Sequence, residues 1–231
     1  MVSRNHLVIS ILSAIILFDW MMVHTPWYFL AVIAGAGAGC VLRDMDLSRL
    51  EADAGDGTAG TLGLFFGTVL NPAIAKFFEL LVQRPVDPEN RNIARSIFGN
   101  ITYCFVFWFI GVFLLIALGL DAETVGIFSL FMLGMFTGGV LHLAWDACTE
   151  PGTVPFFPVN ETWKYSGTIP ASGASDRRPG LYVLGLLVVA ALLVSVQFLS
   201  LFSTMAGIVI SGMLVLFAWI IILAKSGVKR V

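Results

Sequence analysis

The chain has 231 residues, of which 58% are hydrophobic and only 12% charged, and its mean hydropathy is +0.91. These values exclude an ordinary soluble globular domain and indicate that lipid surrounds most of the chain. The net charge of -2 argues against nucleic acid as a partner, because no basic stripe can neutralise phosphates. Membrane lipids are the expected partners, and no protein partner is indicated.

Six apolar stretches are long enough to be transmembrane helices, since a bilayer core of about 30 Å needs roughly 20 helical residues. The predicted spans are 7–23, 26–42, 101–120, 124–145, 181–199 and 204–224. Short turns such as His24-Thr25-Pro26 make neighbouring spans antiparallel. The predicted fold class is all-α, a polytopic membrane helix bundle in a single domain, residues 1–231, with large loops at 43–100 and 146–180.

A seventh apolar stretch, Leu62 to Gln83, is a weaker candidate for a span. Asn71-Pro72 interrupts its middle, and Lys76 and Glu79 lie in its second half. A proline breaks helical hydrogen bonding and charges are costly in lipid, so this stretch is predicted to be an interfacial or re-entrant helical segment.

The distribution of basic residues predicts the orientation. Lys and Arg are retained in cytoplasmic loops, and six spans with both termini inside place all 13 basic residues in the cytoplasm. If Leu62 to Gln83 also crossed, Arg84, Arg91 and Arg95 would lie outside and break this rule. We therefore expect a multi-pass protein with both termini cytoplasmic.

Polar side chains converge on the predicted cytoplasmic layer, where span ends meet. They are His6, Asp44, Asp46, Arg91, Arg95, His142 and Asp146. His142 and Asp146 are four residues apart and share one face of a helix. Imidazole and carboxylate together suit a divalent metal such as zinc or manganese, which can activate a water for hydrolysis. The sequence therefore predicts a divalent metal site.

Simpler explanations stand beside this one. Charged residues at helix ends are common at membrane interfaces, so Asp44 and Asp46 fit an interfacial role equally well. A histidine one turn inside a span can be a packing residue, although its partner Asp146 and the shared layer with His6 favour a site for His142.

Several other small or polar residues are assigned structural roles. Asp19 and His24 are expected at the opposite membrane interface. The three cysteines, Cys40, Cys104 and Cys148, have no metal-like spacing and are expected to be small core residues.

Two groups of glycines predict close contacts between helices. Gly35, Gly37 and Gly39 lie in the second span, and Gly134 and Gly138 lie in the fourth. Small residues at such spacings let helix backbones approach each other in a membrane.

The end of the fourth span resembles a known family. The string GGVLHLAWDACT from Gly138 to Thr149, then Pro151-Gly152 and VPFFP, is similar to the signature of the YdjM-like family. These are inner-membrane-associated metal-dependent hydrolases, also described as LexA-binding. Their block reads G-x-x-x-H-x-x-x-D-x-x-T, then P-x-G-V-P, and this chain has one inserted residue after Thr149.

The resemblance extends to Asn5-His6-Leu7 and to Asp44-Met45-Asp46, which is similar to the family's D-I-D-H motif. It implies a cell inner membrane location and a metal-dependent hydrolase. The implied ligand set is His6, Asp44, Asp46, His142 and Asp146, with Asp46 and Asp146 as the catalytic carboxylates.

Three family histidines are replaced in this chain. The family string H-R-G-x-T-H-S reads Asn90 to Ser96 here, which keeps Arg91 but places Asn90 and Arg95 at the histidine positions, and Leu47 replaces the last residue of D-I-D-H. Because ligands and proton-transfer groups are among these losses, the expected catalytic set is incomplete.

Three functions therefore remain open. The first is a divergent relative of metal-dependent hydrolases with a cytoplasm-facing His/Asp pocket and an incomplete catalytic set. The second is an active hydrolase on a phosphorylated or lipid-linked substrate, held by Arg91 and Arg95. The third is a structural or binding membrane subunit without metal, in which Arg95, helped by Arg91, pairs with Asp44, Asp46 or Asp146 in place of the metal.

Overall fold

The computed structural model describes residues 4–44, 69–88, 90, 92–170, 176–199 and 203–231. The described residues form seven helices and one two-stranded sheet. The helices are α1 (Arg4–His24), α2 (Pro26–Asp44), α3 (Asn71–Val82), α4 (Ile97–Ala117), α5 (Ala122–Cys148), α6 (Arg178–Phe198) and α7 (Thr204–Lys225), and the strands are β1 (Tyr165–Ser166) and β2 (Lys229–Arg230). The predicted all-α fold class is confirmed.

Five of these helices, α1, α4, α5, α6 and α7, are long and apolar enough to cross a membrane. In α2 the apolar stretch is shorter, Pro26–Val41. Large apolar side chains are exposed on the outer faces of the bundle, among them Phe113 of α4, Leu192 of α6 and Phe217 of α7. Such faces suit lipid as their surroundings.

Helices α2 and α5 run side by side in the same direction. The carbonyl of Val32 lies against Gly134 and that of Ala36 against Gly138. Residue numbers therefore increase in the same direction along both helices. A Cβ atom on Gly138 would lie only 2.0 Å from the Ala36 carbonyl oxygen. The absence of a side chain is therefore required for this approach, and the predicted glycine contact is confirmed.

The same contact is made from the other side. A Cβ atom on Gly35 would lie 1.9 Å from the Phe131 carbonyl oxygen, and one on Gly39 would lie 2.0 Å from that of Met135. Gly37 faces α1 instead, since a Cβ atom there would lie 3.8 Å from the Ile11 side chain. Backbone atoms thus set the spacing between α2 and α5.

Helix α1 packs in the interior, between α2 and the pair α6 and α7. The Trp219 indole of α7 donates to the Ser13 hydroxyl at 3.1 Å, and the Ser211 hydroxyl donates to Asp19 at 2.6 Å, so α1 and α7 are antiparallel. Ile9, Trp145 and Leu193 belong to the main core cluster, which joins α1, α5, α6 and α7.

The structure corrects the prediction made for Asp19. It was expected at the membrane interface, but its side chain is 0% exposed and faces α6 and α7. The residues of α1 are apolar on nearly every side, so the sequence contains no signal for how the helix is rotated about its axis. The side chain of His24 lies outside the described part.

Helix α3 begins at the predicted break, with Pro72 in its first turn, where its missing N–H costs no hydrogen bond. The Tyr103 hydroxyl of α4 donates to Asn71, and the other end of α3 leads to Arg84, which hydrogen-bonds the Pro158 carbonyl. The helix has 12 residues and is about 18 Å long, too short to cross a bilayer. Residues 62–68 lie outside the described part.

Candidate metal centre

One end of the bundle gathers the candidate ligands, and we call it the histidine end, defined by His6, His142 and Asp146. Helix α1 begins here, and the parallel helices α2 and α5 end here. Helix α6 also begins at this end, because Tyr182 in its second turn contacts Trp145 with ring centroids 6.5 Å apart. The opposite end carries the short turn at Asp121.

His142 is placed by the contact between α2 and α5. It lies one turn beyond Gly138, and its side chain is 1% exposed. The Sγ atom of Cys40, the residue after Gly39 on α2, lies 3.5 Å from His142 Nδ1. The close glycine contact therefore brings the thiol and the imidazole together at the end of both helices.

Asp146 follows one turn later on the same face of α5. Its Oδ1 atom lies 3.5 Å from His142 Nε2, and its side chain is 17% exposed. Because Nδ1 of His142 faces Cys40, Nε2 is the ring nitrogen that faces the Asp146 carboxylate. The pair follows from i, i+4 spacing on a helix, as expected from the sequence.

His6 completes the cluster from α1. Its ring centroid lies 5.6 Å from that of His142 and 5.1 Å from that of Trp145, with edge contacts in both cases. Its Nδ1 atom is buried and has no hydrogen-bond partner in the part of the chain that the structure describes. An unsatisfied imidazole nitrogen of this kind is suited to a metal or a proton donor.

The three side chains are near enough to one another to hold a divalent metal. One ligand atom from each of His6, His142 and Asp146 can be chosen so that all lie within 4.8 Å of one another. Tetrahedral zinc with bonds of about 2.1 Å needs ligand atoms roughly 3.4 Å apart. The 3.5 Å separation between His142 Nε2 and Asp146 Oδ1 already matches this spacing. The His6 ligand atom lies within 4.8 Å of the other two, so it would need to move closer by up to about 1.4 Å.

The remaining predicted ligands are not placed by the structure. Asp44 ends α2 at this end of the bundle, but its side chain lies outside the described part. Asp46 and Arg91 are outside the described residues altogether. The structure therefore brings together three of the five predicted metal ligands.

Arg95 is described, and its position bears on the idea that it replaces the metal. Its backbone carbonyl accepts a hydrogen bond of 3.2 Å from the Thr153 hydroxyl. Between described residues, its guanidinium makes no ion pair with Asp146 or any other carboxylate, so that predicted pair is not formed. Pairs with Asp44 or Asp46 fall outside the described side chains.

The neighbouring Ser96 caps α4. Its hydroxyl accepts a hydrogen bond of 2.9 Å from the backbone N–H of Gly99, which is the usual role of serine at a helix start. Ser96 therefore has a structural role at the start of α4.

A folded loop covers the histidine end. The Thr149 hydroxyl donates to the Asp146 carbonyl at 2.7 Å and ends α5. Strand β1 then pairs antiparallel with β2, with Tyr165 opposite Arg230. The loop is also tied to the start of α4, because the Ile97 N–H donates to the Pro155 carbonyl at 2.8 Å.

An ion pair fixes the start of α6 beside this loop. The Asp176 carboxylate accepts hydrogen bonds from the backbone N–H and the guanidinium of Arg178, and these bonds lower the pKa of Asp176. The same guanidinium donates to the hydroxyl and the carbonyl of Thr168. Arg178 therefore connects α6 to the loop that covers the candidate metal centre.

Cys40 and Trp145 belong to the cluster although neither was among the predicted site residues. All three cysteines are buried, which confirms them as core residues, but Cys40 also contacts a candidate ligand. The glycine spacings carried the missing signal, because Ala36 lies against Gly138 across two parallel helices, and Cys40 and His142 follow these residues by one turn each.

No model of a protein family, no curated protein and no solved structure matches this chain.

Proposed function

We propose that this chain is a membrane-embedded metal protein, a divergent relative of the YdjM-like metal-dependent hydrolases. Its centre holds one divalent transition metal on His6, His142 and Asp146. The observation that carries the proposal is the approach of three ligand atoms within 4.8 Å, from two helices that are far apart in the chain.

The ligand chemistry favours zinc, with manganese as the other candidate. Two imidazoles and one carboxylate form a set that zinc commonly accepts, and three protein ligands leave a position open to water. A metal held in this way lowers the pKa of a bound water and supplies a nucleophile for hydrolysis. Cys40, in contact with His142 Nδ1, is placed to fix the orientation of the ring.

The proposal includes a six-span topology in the cell inner membrane, with both termini and the histidine end in the cytoplasm. The parallel course of α2 and α5 supports it. Helices α4 and α5 are antiparallel, since Trp108 bonds Ser129 and Asn100 bonds Phe136, so α2 ends and α4 begins at the same end of the bundle. The segment between them then returns to the side from which it started.

Metal analysis of the purified protein tests the centre. We expect about one zinc per chain after loading and desalting, and loss of that zinc in His142→Ala and Asp146→Asn. His24→Ala, at the opposite end of α1, is the matched control and should keep the metal. Equal zinc in all four proteins, or none in the unaltered protein, contradicts the proposal.

Metal binding without turnover is the second candidate, and the three replaced histidines favour it. Restoring them in one variant, Leu47→His with Asn90→His and Arg95→His, separates the two. A rise in zinc-dependent hydrolysis of p-nitrophenyl phosphate over an inactive parent supports a lost activity. A parent that already turns over, and loses activity on Asp146→Asn, supports an active hydrolase.

A further inference from the structure

A second polar cluster lies toward the opposite end of the bundle from the candidate metal centre. Asp19 of α1 is completely buried there, and its Oδ1 atom accepts a hydrogen bond of 2.6 Å from the Ser211 hydroxyl of α7. The Gln197 amide of α6, itself only 8% exposed, faces the same carboxyl. Three helices thus meet at one acidic side chain.

The amide of Gln197 fits against a glycine. A Cβ atom on Gly207 of α7 would lie 2.6 Å from its Nε2 atom, so the notch at Gly207 makes room for this polar group. Asp19, Gln197 and Ser211 therefore belong to one built contact, and their polar groups are turned away from lipid.

Within the part of the chain that the structure describes, no cation pairs with the carboxyl. The basic residues of α6 and α7 are Arg178 and Lys225, and both stand at the histidine end. At the level of Asp19 these helices present only neutral side chains, and on α1 the nearest titratable residue is His24 at the helix end. The Oδ2 atom of Asp19 has no hydrogen-bond partner among the described residues.

We propose that Asp19 is a proton-binding site, whose carboxyl holds a hydrogen ion in the folded protein. A buried carboxylate without a counter-ion is strongly disfavoured, especially inside a bundle surrounded by lipid. Protonation removes the charge and leaves Oδ1 free to accept from Ser211. A metal cation is a poorer fit, because hard cations need about six oxygen ligands and the cluster offers a carboxyl, one hydroxyl and one amide.

A proton on Asp19 makes the packing of α1 against α6 and α7 sensitive to pH, at a place separate from the candidate metal centre. Loss of the proton would leave a charge between α1, α6 and α7, and the charge could persist only if water entered or the helices moved apart. Among the described residues, the polar side chains that α6 and α7 turn toward the carboxyl are Gln197 and Ser211, and both are neutral.

Infrared spectroscopy with ¹³C-labelled aspartate tests the proposal in the unaltered protein. We expect a protonated-carboxyl C=O band at neutral pH that shifts on ¹³C labelling and is lost in Asp19→Asn. Ser211→Ala should move the same band to higher frequency, because the carboxyl loses a hydrogen bond. Asp121→Asn is the control, since Asp121 is exposed and caps α5 as a carboxylate, and it should leave the band in place.

Two outcomes would overturn the proposal. The first is the absence of any label-sensitive protonated-carboxyl band in the unaltered protein at neutral pH. The second is a carboxylate band, lost in Asp19→Asn, whose frequency changes when sodium replaces potassium in the buffer, because that result would assign Asp19 to a bound metal cation.

Discussion

The imidazole rings of His6 and His142 lie edge to face with their centroids 5.6 Å apart, one at the start of α1 and the other near the end of α5. His142 and Asp146 come from one helix and are positioned by its repeat alone, but they can supply only two ligands. The third depends on how α1 packs against α5. A metal at this point would connect the two helices directly.

Metal removal should therefore lower stability. A ligand that binds only the folded state at about 100 times its Kd adds roughly 2.7 kcal/mol. We expect the zinc-loaded protein to melt at a higher temperature than the chelated protein, in a thermal unfolding assay in detergent. The gain should vanish in His6→Ala and persist in His24→Ala. An unchanged melting temperature on chelation would contradict a structural link through the metal.

Gly138→Ala should destabilise the bundle, because its new Cβ would meet the Ala36 carbonyl at 2.0 Å. Overpacking of a well-packed contact typically costs about 1 to 3 kcal/mol, and backbone on both sides leaves little room for relief. Gly126→Ala, in the same helix with nothing near its Cβ position, is the matched control. It should be neutral or stabilise the helix by about 0.5 to 1 kcal/mol. Equal melting temperatures for the two variants would refute the contact.

The proposed topology predicts opposite labelling of two exposed positions. Asp121 stands at the opposite end of the bundle and Arg177 at the histidine end. Single cysteines at these sites, in a background without the three native cysteines, should react with a membrane-impermeant maleimide from opposite sides. The cysteine at Arg177 should react only after the cytoplasmic face is opened. Labelling of Asp121→Cys from the cytoplasm would show that the six-span topology is wrong.

The stretch from Leu62 to Gln83 should have both ends on the cytoplasmic face. Its second half, α3, runs from the contact between Asn71 and Tyr103 toward the loop at Pro158, which suits a segment returning from the membrane. We expect cysteines at Leu62 and Gln83 to react with the same reagent from the same side. Reaction from opposite sides would make this stretch a seventh span.

Acid should weaken the attachment of α6 through Asp176. Its pKa is lowered by the hydrogen bonds from Arg178, so the stabilising effect is present above the ordinary carboxyl value of 3.8 and is lost as the pH falls through the lowered value. Asp176→Asn should reduce the melting temperature at neutral pH and have less effect in acid. Glu161→Gln, whose carboxylate pairs with Arg84 at 3.3 Å in an exposed position, is a charge-matched control. A constant difference across pH would exclude this linkage.

Much of the fold could be predicted because its signals are local. Apolar length identified the helices, and the glycine spacings predicted close helix contacts, which the structure places between α2 and α5. The i, i+4 spacing also predicted that His142 and Asp146 share a face. These features depend on the helical repeat and on side-chain size, which are both visible in the sequence.

Other features depend on how each helix is rotated about its axis and on the course of the loops, and both leave weaker signals in the sequence. Asp19 was assigned to the interface because a charged residue near a span end usually lies there, but α1 is interior and turns it toward Ser211. Of the three carboxylates predicted as partners of Arg95, only Asp146 has a described side chain, and the two are not paired. No helical repeat relates them, because Arg95 lies in the turns before α4. Cys40 was read as a small core residue, and only the pairing of two helices reveals its contact with His142.

The contact between α2 and α5 determines where the candidate metal centre lies, but not which side chains it contains. The distance between these helices is fixed by glycine and carbonyl atoms, which remain the same whatever side chains stand at the helix ends. The side chains at His142 and Cys40 can therefore be exchanged while the distance between the two helices stays the same. A single substitution can thus remove a proposed ligand without removing the backbone contact that holds α2 and α5 together.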